Sequence, residues 1–235
     1  MEENKWETTA ERFVLFFDIL GFKDMVQRND HDFVLGKLNL LKNTIHDLDG
    51  LHTLEESKRL KISEKQSQSV TFSDSIIIFS KSNTVEDAYK IFSDAYIILL
   101  YALENDIPIK GALSYGKITV NFEKSLFFGQ PIIDAYLLHE NFQMLTVVLD
   151  HNFEKQYSLV KKDNIPTHFL VDYKVNLKTA KVTHKVFRPV APRLAKAIES
   201  LKNHYLSVSG YPRIYIDNTM DFYLAMVEID KTNKK

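Results

Sequence analysis

The chain has 235 residues, 45% of them hydrophobic, which predicts one sizeable folded core. Lysine and arginine number 30 against 31 acidic residues, so the net charge of -1 argues against nucleic acid or an anionic membrane as the main partner. The absence of cysteine excludes disulfides, thiolate zinc sites and cysteine nucleophiles. The polar N-terminus does not resemble a signal peptide, and no apolar stretch reaches the roughly 18 residues of a membrane span, so we expect a cytoplasmic protein without direct membrane insertion.

The first element ends in an acid. Phe13 to Phe17 is an unbroken apolar run closed by Asp18, which predicts a buried strand with a carboxylate at its C-terminal end. Gly21 then permits a tight turn. Apolar residues at helical spacing between Phe22 and Leu48 predict one or two amphipathic helices, with a break near residues 29–32.

A second acid falls at a predicted hairpin. The polar segment 50–68 predicts an exposed connection. The β-rich runs Val70 to Phe72 and Ser75 to Phe79 follow, which places Asp74 at the tip of a hairpin. The turn itself has neither Gly nor Asn, so its residue types add little support.

The next elements complete an alternating order. Thr84 and Asp87 form a capping box that predicts the start of a helix. A strand over Ile107 to Val120, a helix over Gly129 to His139 and a buried strand over Leu145 to Leu149 follow. The order strand, helix, strand, strand, helix, strand predicts a ferredoxin-like α+β core with an antiparallel sheet flanked by helices.

The C-terminal third has a weaker pattern and no linker that would mark a second domain. It predicts strands near 169–173 and 181–187, a helix from about 192 to 206, and a tail from 214 to 227. We divide the chain into a polar extension, a single domain with its core and C-terminal elements, and a disordered tail: 1–12, 13–230 (core about 13–150, additions 151–230) and 231–235.

The two acids suggest a metal site. An isolated buried carboxylate tends to become protonated, whereas Asp18 and Asp74 could stay ionised by holding hard divalent cations. Gly21 would let the backbone N–H groups of Leu20, Gly21 and Phe22 face phosphate oxygens. The competing interpretation is that both acids are ordinary strand-end or cap residues, and spacing alone does not decide between the two.

Several motifs together resemble the class III nucleotide cyclases. The run Phe17-Asp18-Ile19-Leu20-Gly21-Phe22 resembles the first metal motif of that family, and Phe72-Ser73-Asp74-Ser75 resembles the second. Ile109 to Ala112 with Gly116 is similar to the later strand, and Phe127 through His139 to the following turn and helix. The resemblance covers about residues 13–150.

The resemblance implies a site and an assembly. Asp18, Asp74 and the Ile19 carbonyl would hold two divalent ions, Mn²⁺ or Mg²⁺, with the triphosphate near Leu20, Gly21 and Phe22. The family's active sites form at a dimer interface, so a homodimer is expected. Lys110 at the end of the later strand is a candidate phosphate contact, and a solvated surface charge is the alternative.

Departures from the family pattern bear on the substrate. Val70 and Leu126 stand where adenylyl cyclases carry the Lys and Asp that recognise the purine, so adenine is not the expected base. The Asn and Arg that stabilise the transition state fall near Ile133 and Leu137. Arg188 and Arg193 are candidates for a substitute cation, although a surface role is the simpler interpretation.

The compact domain with Asp-Ile-Leu-Gly-Phe and Phe-Ser-Asp-Ser is most similar to the pyrimidine cyclases of the bacterial Pycsar antiphage system. That similarity implies conversion of UTP to cyclic UMP, with CTP as the alternative substrate and a separate effector protein that senses the product. The base-binding residues stay unknown at this stage. Two other hypotheses remain open: a nucleotide-binding relative without turnover, and a different two-metal enzyme on the same core, such as a palm-type polymerase.

Overall fold

The computed structural model describes residues 6–51, 67–160, 169–190, 193–208 and 210–232. The strands in this part of the chain are β1 (Thr9–Ile19), β2 (Ser67–Phe72), β3 (Ser75–Ser80), β4 (Ile109–Asn121), β5 (Leu126–Gly129), β6 (Val147–Leu149), β7 (Leu170–Asn176) and β8 (Lys181–Phe187). The helices are α1 (Phe22–Arg28), α2 (His31–Leu51), α3 (Val85–Glu104), α4 (Gln130–Asn141), α5 (His151–Val160), α6 (Arg193–Ser207) and α7 (Arg213–Thr232). None of the helices described has the length and apolar character needed to cross a bilayer.

All eight of these strands form one sheet in the order β2-β3-β1-β4-β6-β8-β7, and β5 pairs with β4 outside this path. Neighbouring strands are antiparallel except for β4 and β6, which are parallel. The order β4-β1-β3-β2 is the ferredoxin-like arrangement expected from the alternation of elements. The predicted α+β class and antiparallel core are therefore confirmed.

The core is continuous from the first strand to the last helix. Phe92 on α3 packs against Phe153 of α5 and Phe187 of β8, with ring centroids 5.2 and 5.5 Å away. One cluster of buried residues extends from Phe13 to Met226. The C-terminal strands and helices thus extend the same core, because they bury their apolar faces against the same sheet and α3.

The folded domain begins earlier than the predicted residue 13. β1 begins at Thr9, and the guanidinium of Arg12 is fully buried, where it donates to the carbonyls of Glu7 and Ile118 and lies 5.3 Å from the ring centroid of Trp6. Residues 9–12 are therefore part of the sheet instead of a polar extension. The sequence favoured an exposed segment here because it contains Arg12, and charged side chains are rarely buried without partners.

The C-terminal end also differs. The tail expected over 214–227 is helix α7, which runs to Thr232 and so includes two residues assigned to a disordered tail. Helix α5 was not predicted either. The strands near 169 and 181 and the helix near 192 are confirmed as β7, β8 and α6. Most of the polar connection predicted over 50–68 lies outside the described residues, since α2 ends at Leu51 and β2 begins at Ser67.

Candidate active site at the end of strand β1

Asp18 lies beside two polar residues of the neighbouring strands. Its register partners are Ser75 on β3 and Lys110 on β4. Residues directly opposite each other in a sheet share one face, so the three side chains form a row across three strands. Ser75 Oγ donates to Asp18 Oδ1 at 3.1 Å, and the Asp18 side chain is only 24% exposed.

Asp74 occupies the two-residue turn between β2 and β3, as predicted. Its neighbour Ser73 adopts a left-handed φ of 56°, which closes the turn without Gly or Asn. Asp74 is half-buried and directly precedes Ser75, the register partner of Asp18. The pKa of Asp18 is raised from 3.8 to about 6, first by burial and then by the negative charge of Asp74. The fold thus brings together the two acids that the sequence singled out.

This arrangement has the donor chemistry of a divalent metal site. A carboxylate such as that of Asp18, whose ionisation is disfavoured by burial and by a second carboxylate, is stabilised by a nearby cation. Carboxylate oxygens are the preferred ligands of Mg²⁺ and Mn²⁺. Within the described ranges no group of three or more His, Cys, Asp or Glu side chains could hold a metal ion. The two carboxylates of Asp18 and Asp74 fit as partial ligands of a divalent ion, and the Ile19 carbonyl remains a predicted ligand.

Lys110 is not the solvent-facing phosphate contact considered from the sequence. Its side chain is buried, and Nζ donates to the carbonyls of His139 (2.6 Å) and Phe142 (3.2 Å) at the C-terminal end of α4. The ammonium also lies 5.0 Å from the ring centroids of both Phe142 and Tyr215. Burial lowers the pKa of Lys110 to about 8. The expected phosphate contact is corrected to a structural role, since this ammonium is held by the end of a helix.

A histidine that the sequence did not single out lies next to Asp18. The imidazole of His139, on the last turn of α4, is almost fully buried, with Nε2 3.9 Å from Asp18 Oδ2. Burial, followed by the charges of Lys110 and Lys178, lowers the pKa of His139 to about 3, so the ring is neutral. Neither ring nitrogen has a hydrogen-bond partner among the described residues. No spacing rule would find this residue, because its neighbours belong to distant strands.

The turn at Gly21 has an open backbone, but one of its three predicted phosphate contacts is already hydrogen-bonded within the protein. Gly21 has a φ of 74° and precedes α1, and the space that a Cβ atom would fill there is open. The N–H of Leu20, however, donates to the carbonyl of Pro108 at 2.7 Å. The N–H of Leu20 therefore holds the turn against the start of β4 and is not available to a phosphate. The N–H groups of Gly21 and Phe22 remain as predicted phosphate contacts.

The positions that depart from the cyclase pattern lie in apolar surroundings or on the surface. Val70 on β2 packs against a small buried cluster that contains Phe79. Leu126 on β5 is exposed, as are Ile133 and Leu137 on α4. None of these side chains can donate or accept a hydrogen bond.

The candidate substitute cations are paired elsewhere. Arg188 Nη1 lies 2.7 Å from Asp230 Oδ1 on α7, and Arg193 pairs with Glu104 at the end of α3. Arg193, whose side chain is 51% exposed, agrees with the simpler interpretation of a surface role. The side chain of Arg188 is only 13% exposed, so its pairing with Asp230 is largely buried instead.

No family model matches this sequence, and no curated protein matches it. Solved structures do match its fold. The catalytic core of a rhodopsin-guanylyl cyclase with converted specificity, in complex with ATPalphaS, has a TM-score of 0.53 at 14% identity, over 76% of this chain and 96% of that one. The guanylate cyclase domain of RhGC from Catenaria anguillulae, in complex with GTP, has a TM-score of 0.52 at 13% identity, over 77% and 98%.

A bacterial light-regulated adenylyl cyclase is similar to the same extent, with a TM-score of 0.52 at 11% identity, over 84% of this chain and 99% of that one. Each match spans nearly the whole of the solved chain, so the shared region is a complete domain. Identities this low carry information about the fold and none about the substrate. The chain has the fold of the catalytic domain of the class III adenylyl and guanylyl cyclases.

Proposed function

We propose that this protein is a metal-dependent nucleotide cyclase that converts UTP to 3',5'-cyclic UMP and pyrophosphate. The observation that carries the proposal is the adjacency of Asp18 and Asp74 on a cyclase fold, with the charge of one raising the pKa of the other. Two neighbouring carboxylates at the end of β1, with an open glycine turn nearby, could hold the divalent ions that accompany a triphosphate.

In the reaction, the ribose 3'-oxygen forms a bond to the α-phosphorus while the bond to the bridging oxygen of the pyrophosphate breaks. The 3'-hydroxyl gives up its proton to solvent water, and pyrophosphate leaves. Two divalent ions, Mn²⁺ or Mg²⁺, would supply Lewis acidity when bound. Asp18 and Asp74 would hold them, Ser75 orients the Asp18 carboxylate, and the N–H groups of Gly21 and Phe22 would donate to phosphate oxygens.

The preference for a pyrimidine rests on what the purine-recognising positions contain. Val70 is packed into an apolar cluster and Leu126 is a leucine on β5, so neither offers a hydrogen bond to the edge of adenine or guanine. A site that lacks those donors and acceptors gives a purine no directional contact. UTP is preferred to CTP only because cyclic UMP producers are the commoner type among the Pycsar cyclases that the chain resembles, and cyclic CMP is the alternative product.

We further propose that the protein acts as a homodimer with active sites at its interface. Five large apolar side chains are exposed on β5 and α4: Leu126, Phe128, Ile133, Tyr136 and Leu137. Adjacent exposed apolar residues of this kind are typical of interaction surfaces. A Leu137→Glu variant should be monomeric and inactive, and its mass is measured by light scattering after size-exclusion chromatography, against the exposed control Leu35→Glu on α2.

A second candidate function is nucleotide binding without turnover. Ile133 and Leu137 stand where the family carries transition-state Asn and Arg, and both are exposed aliphatic side chains. Such residues give no electrostatic stabilisation to the developing charge on the phosphate. A protein of this kind would bind a nucleotide and metal ions and release no cyclic product.

The biological setting follows from the same resemblance. Cyclic UMP would serve as a second messenger in cytoplasmic antiphage defence, and a separate effector protein would sense it. This role is tested by co-expressing the protein with candidate effectors during phage challenge, with Asp74→Ala as the inactive control. If cells with the wild-type protein and cells with Asp74→Ala survive the phage equally well, the defence role loses its support.

The activity is tested by incubating the purified protein with ATP, GTP, CTP or UTP and Mn²⁺, and identifying products by mass spectrometry. Cyclic UMP from UTP should appear with the wild type, disappear with Asp74→Ala, and persist with Asp24→Ala, which removes an exposed carboxylate of α1. Cyclic CMP alone would establish the alternative base. Nucleotide binding without any product would favour the second candidate function.

A further inference from the structure

The imidazole of His139 is a buried polar group without a hydrogen bond. Its side chain is 2% exposed, and neither nitrogen has a hydrogen-bond partner among the described residues. Leaving such a group unpaired costs free energy, and unpaired groups of this kind in native structures often mark a functional constraint or a missing ligand. The apolar contacts of the ring, 5.1 Å from the Phe16 centroid and 6.2 Å from that of Phe142, do not satisfy its nitrogens.

The position of His139 is fixed through Lys110. Lys110 donates to the His139 and Phe142 carbonyls, so the end of α4 is tied to β4. Lys110 is in turn the register partner of Asp18 across β1 and β4. The backbones that carry Asp18 and His139 are therefore connected through one buried ammonium, which holds Nε2 near Oδ2.

Asp18 has one carboxylate oxygen engaged and one facing this ring. Oδ1 accepts from Ser75 Oγ at 3.1 Å, and Oδ2 lies 3.9 Å from His139 Nε2. That distance is longer than a hydrogen bond, and site hydrogen bonds that are long in a ligand-free protein often shorten when the ligand binds. Each oxygen keeps a further lone pair for a cation.

We propose that His139 is a positioning residue, whose Nε2–H donates to Oδ2 of Asp18 and orients that carboxylate towards the divalent ion. This inference rests on the proposed function, because it assigns Asp18 to a metal site. Partners that hydrogen-bond to a metal ligand fix its orientation, and their removal typically weakens metal binding by about 10- to 100-fold. The alternative is that the ring only fills space beneath α4.

A matched pair of variants separates the two roles. His139→Met and His139→Gln introduce unbranched side chains of similar size, and only glutamine offers an N–H donor. Mn²⁺ binding is measured on the full chain by isothermal titration calorimetry and by electron paramagnetic resonance of the free ion. We expect a dissociation constant about 10- to 100-fold higher for His139→Met, and a value closer to wild type for His139→Gln.

Equal Mn²⁺ affinity of the two variants, whether unchanged or equally weakened, would overturn the inference, because space filling would then explain the ring. His184→Met is the control, since His184 lies on β8 and contacts the Leu149 carbonyl at 3.0 Å. Wild-type protein that binds no Mn²⁺ would refute the metal site itself, and the proposed function with it. Wild-type binding lost in Asp18→Asn and retained in His139→Met would refute the positioning role alone.

Discussion

Replacing Asp18 with asparagine should stabilise the metal-free protein. The substitution preserves the shape of the side chain and the acceptor for Ser75 Oγ, while it removes a charge that burial and Asp74 both disfavour. The same substitution removes a proposed metal ligand. The effect on stability should therefore have opposite signs in the absence and in the presence of Mn²⁺.

The magnitude follows from the proton affinity of this carboxyl. Its pKa in the folded protein is about 6, against an ordinary value of 3.8. Each pKa unit corresponds to about 1.4 kcal/mol, which sets an upper limit of about 3 kcal/mol. Since the side chain is 24% exposed, solvent screening reduces the expected gain to about 1–2 kcal/mol.

The pH dependence has a definite sign. The folded state binds the proton of Asp18 more tightly than the unfolded state does, so the cost of ionisation is absent below pH 3.8, grows up to about 6 and is complete above it. Asp18→Asn should therefore exceed wild type in stability at about pH 7.5, and the difference should shrink towards pH 4.

The assay is urea unfolding of both proteins in EDTA at several pH values, repeated with Mn²⁺, with Asp24→Asn as the exposed control. Mn²⁺ at about 100 times its dissociation constant should stabilise wild type by about 2.7 kcal/mol and leave Asp18→Asn almost unchanged. A metal-free Asp18→Asn protein that is less stable than wild type at pH 7.5 would refute the electrostatic account. Equal stabilisation of both proteins by Mn²⁺ would refute the ligand assignment.

Two further substitutions, Gly111→Ala with Gly36→Ala as its control and Lys110→Met, test the packing around the site. In Gly111→Ala the new Cβ would lie 2.5 Å from Phe17 Cδ1 and 2.8 Å from the Phe16 carbonyl oxygen, so we expect a loss of about 1–3 kcal/mol in urea unfolding. Gly36→Ala on α2 has open space instead and should stabilise by about 0.5–1 kcal/mol; similar effects of the two would contradict the steric account. Lys110→Met should cost about 2–4 kcal/mol, because it leaves the His139 and Phe142 carbonyls without their donor. An unchanged urea midpoint in Lys110→Met would show that the ammonium does not hold the end of α4.

Local signals in the sequence were enough for the early elements. The apolar run from Phe13 to Phe17 and the capping box of Thr84 and Asp87 predicted β1 and the start of α3, and both are present. The acid at the hairpin tip was also located correctly, since a short β-rich run on each side of it marks a hairpin. These signals succeed because periodicity and capping depend on residues within a few positions of one another.

The sequence alone determined the order of the core strands and helices from β1 to β6, and with it the α+β class and the two acids of the candidate site. It did not determine the C-terminal part, where α5 was missed and α7 was expected to be a tail. Only the tertiary structure decided the surroundings of each site residue. Lys110 changed from a candidate phosphate contact to a buried anchor because its partner carbonyl lies 29 residues away, and Ser75 reaches Asp18 across 57 residues. Burial, pKa and hydrogen-bond partners depend on which distant segments pack together, and no local pattern records that.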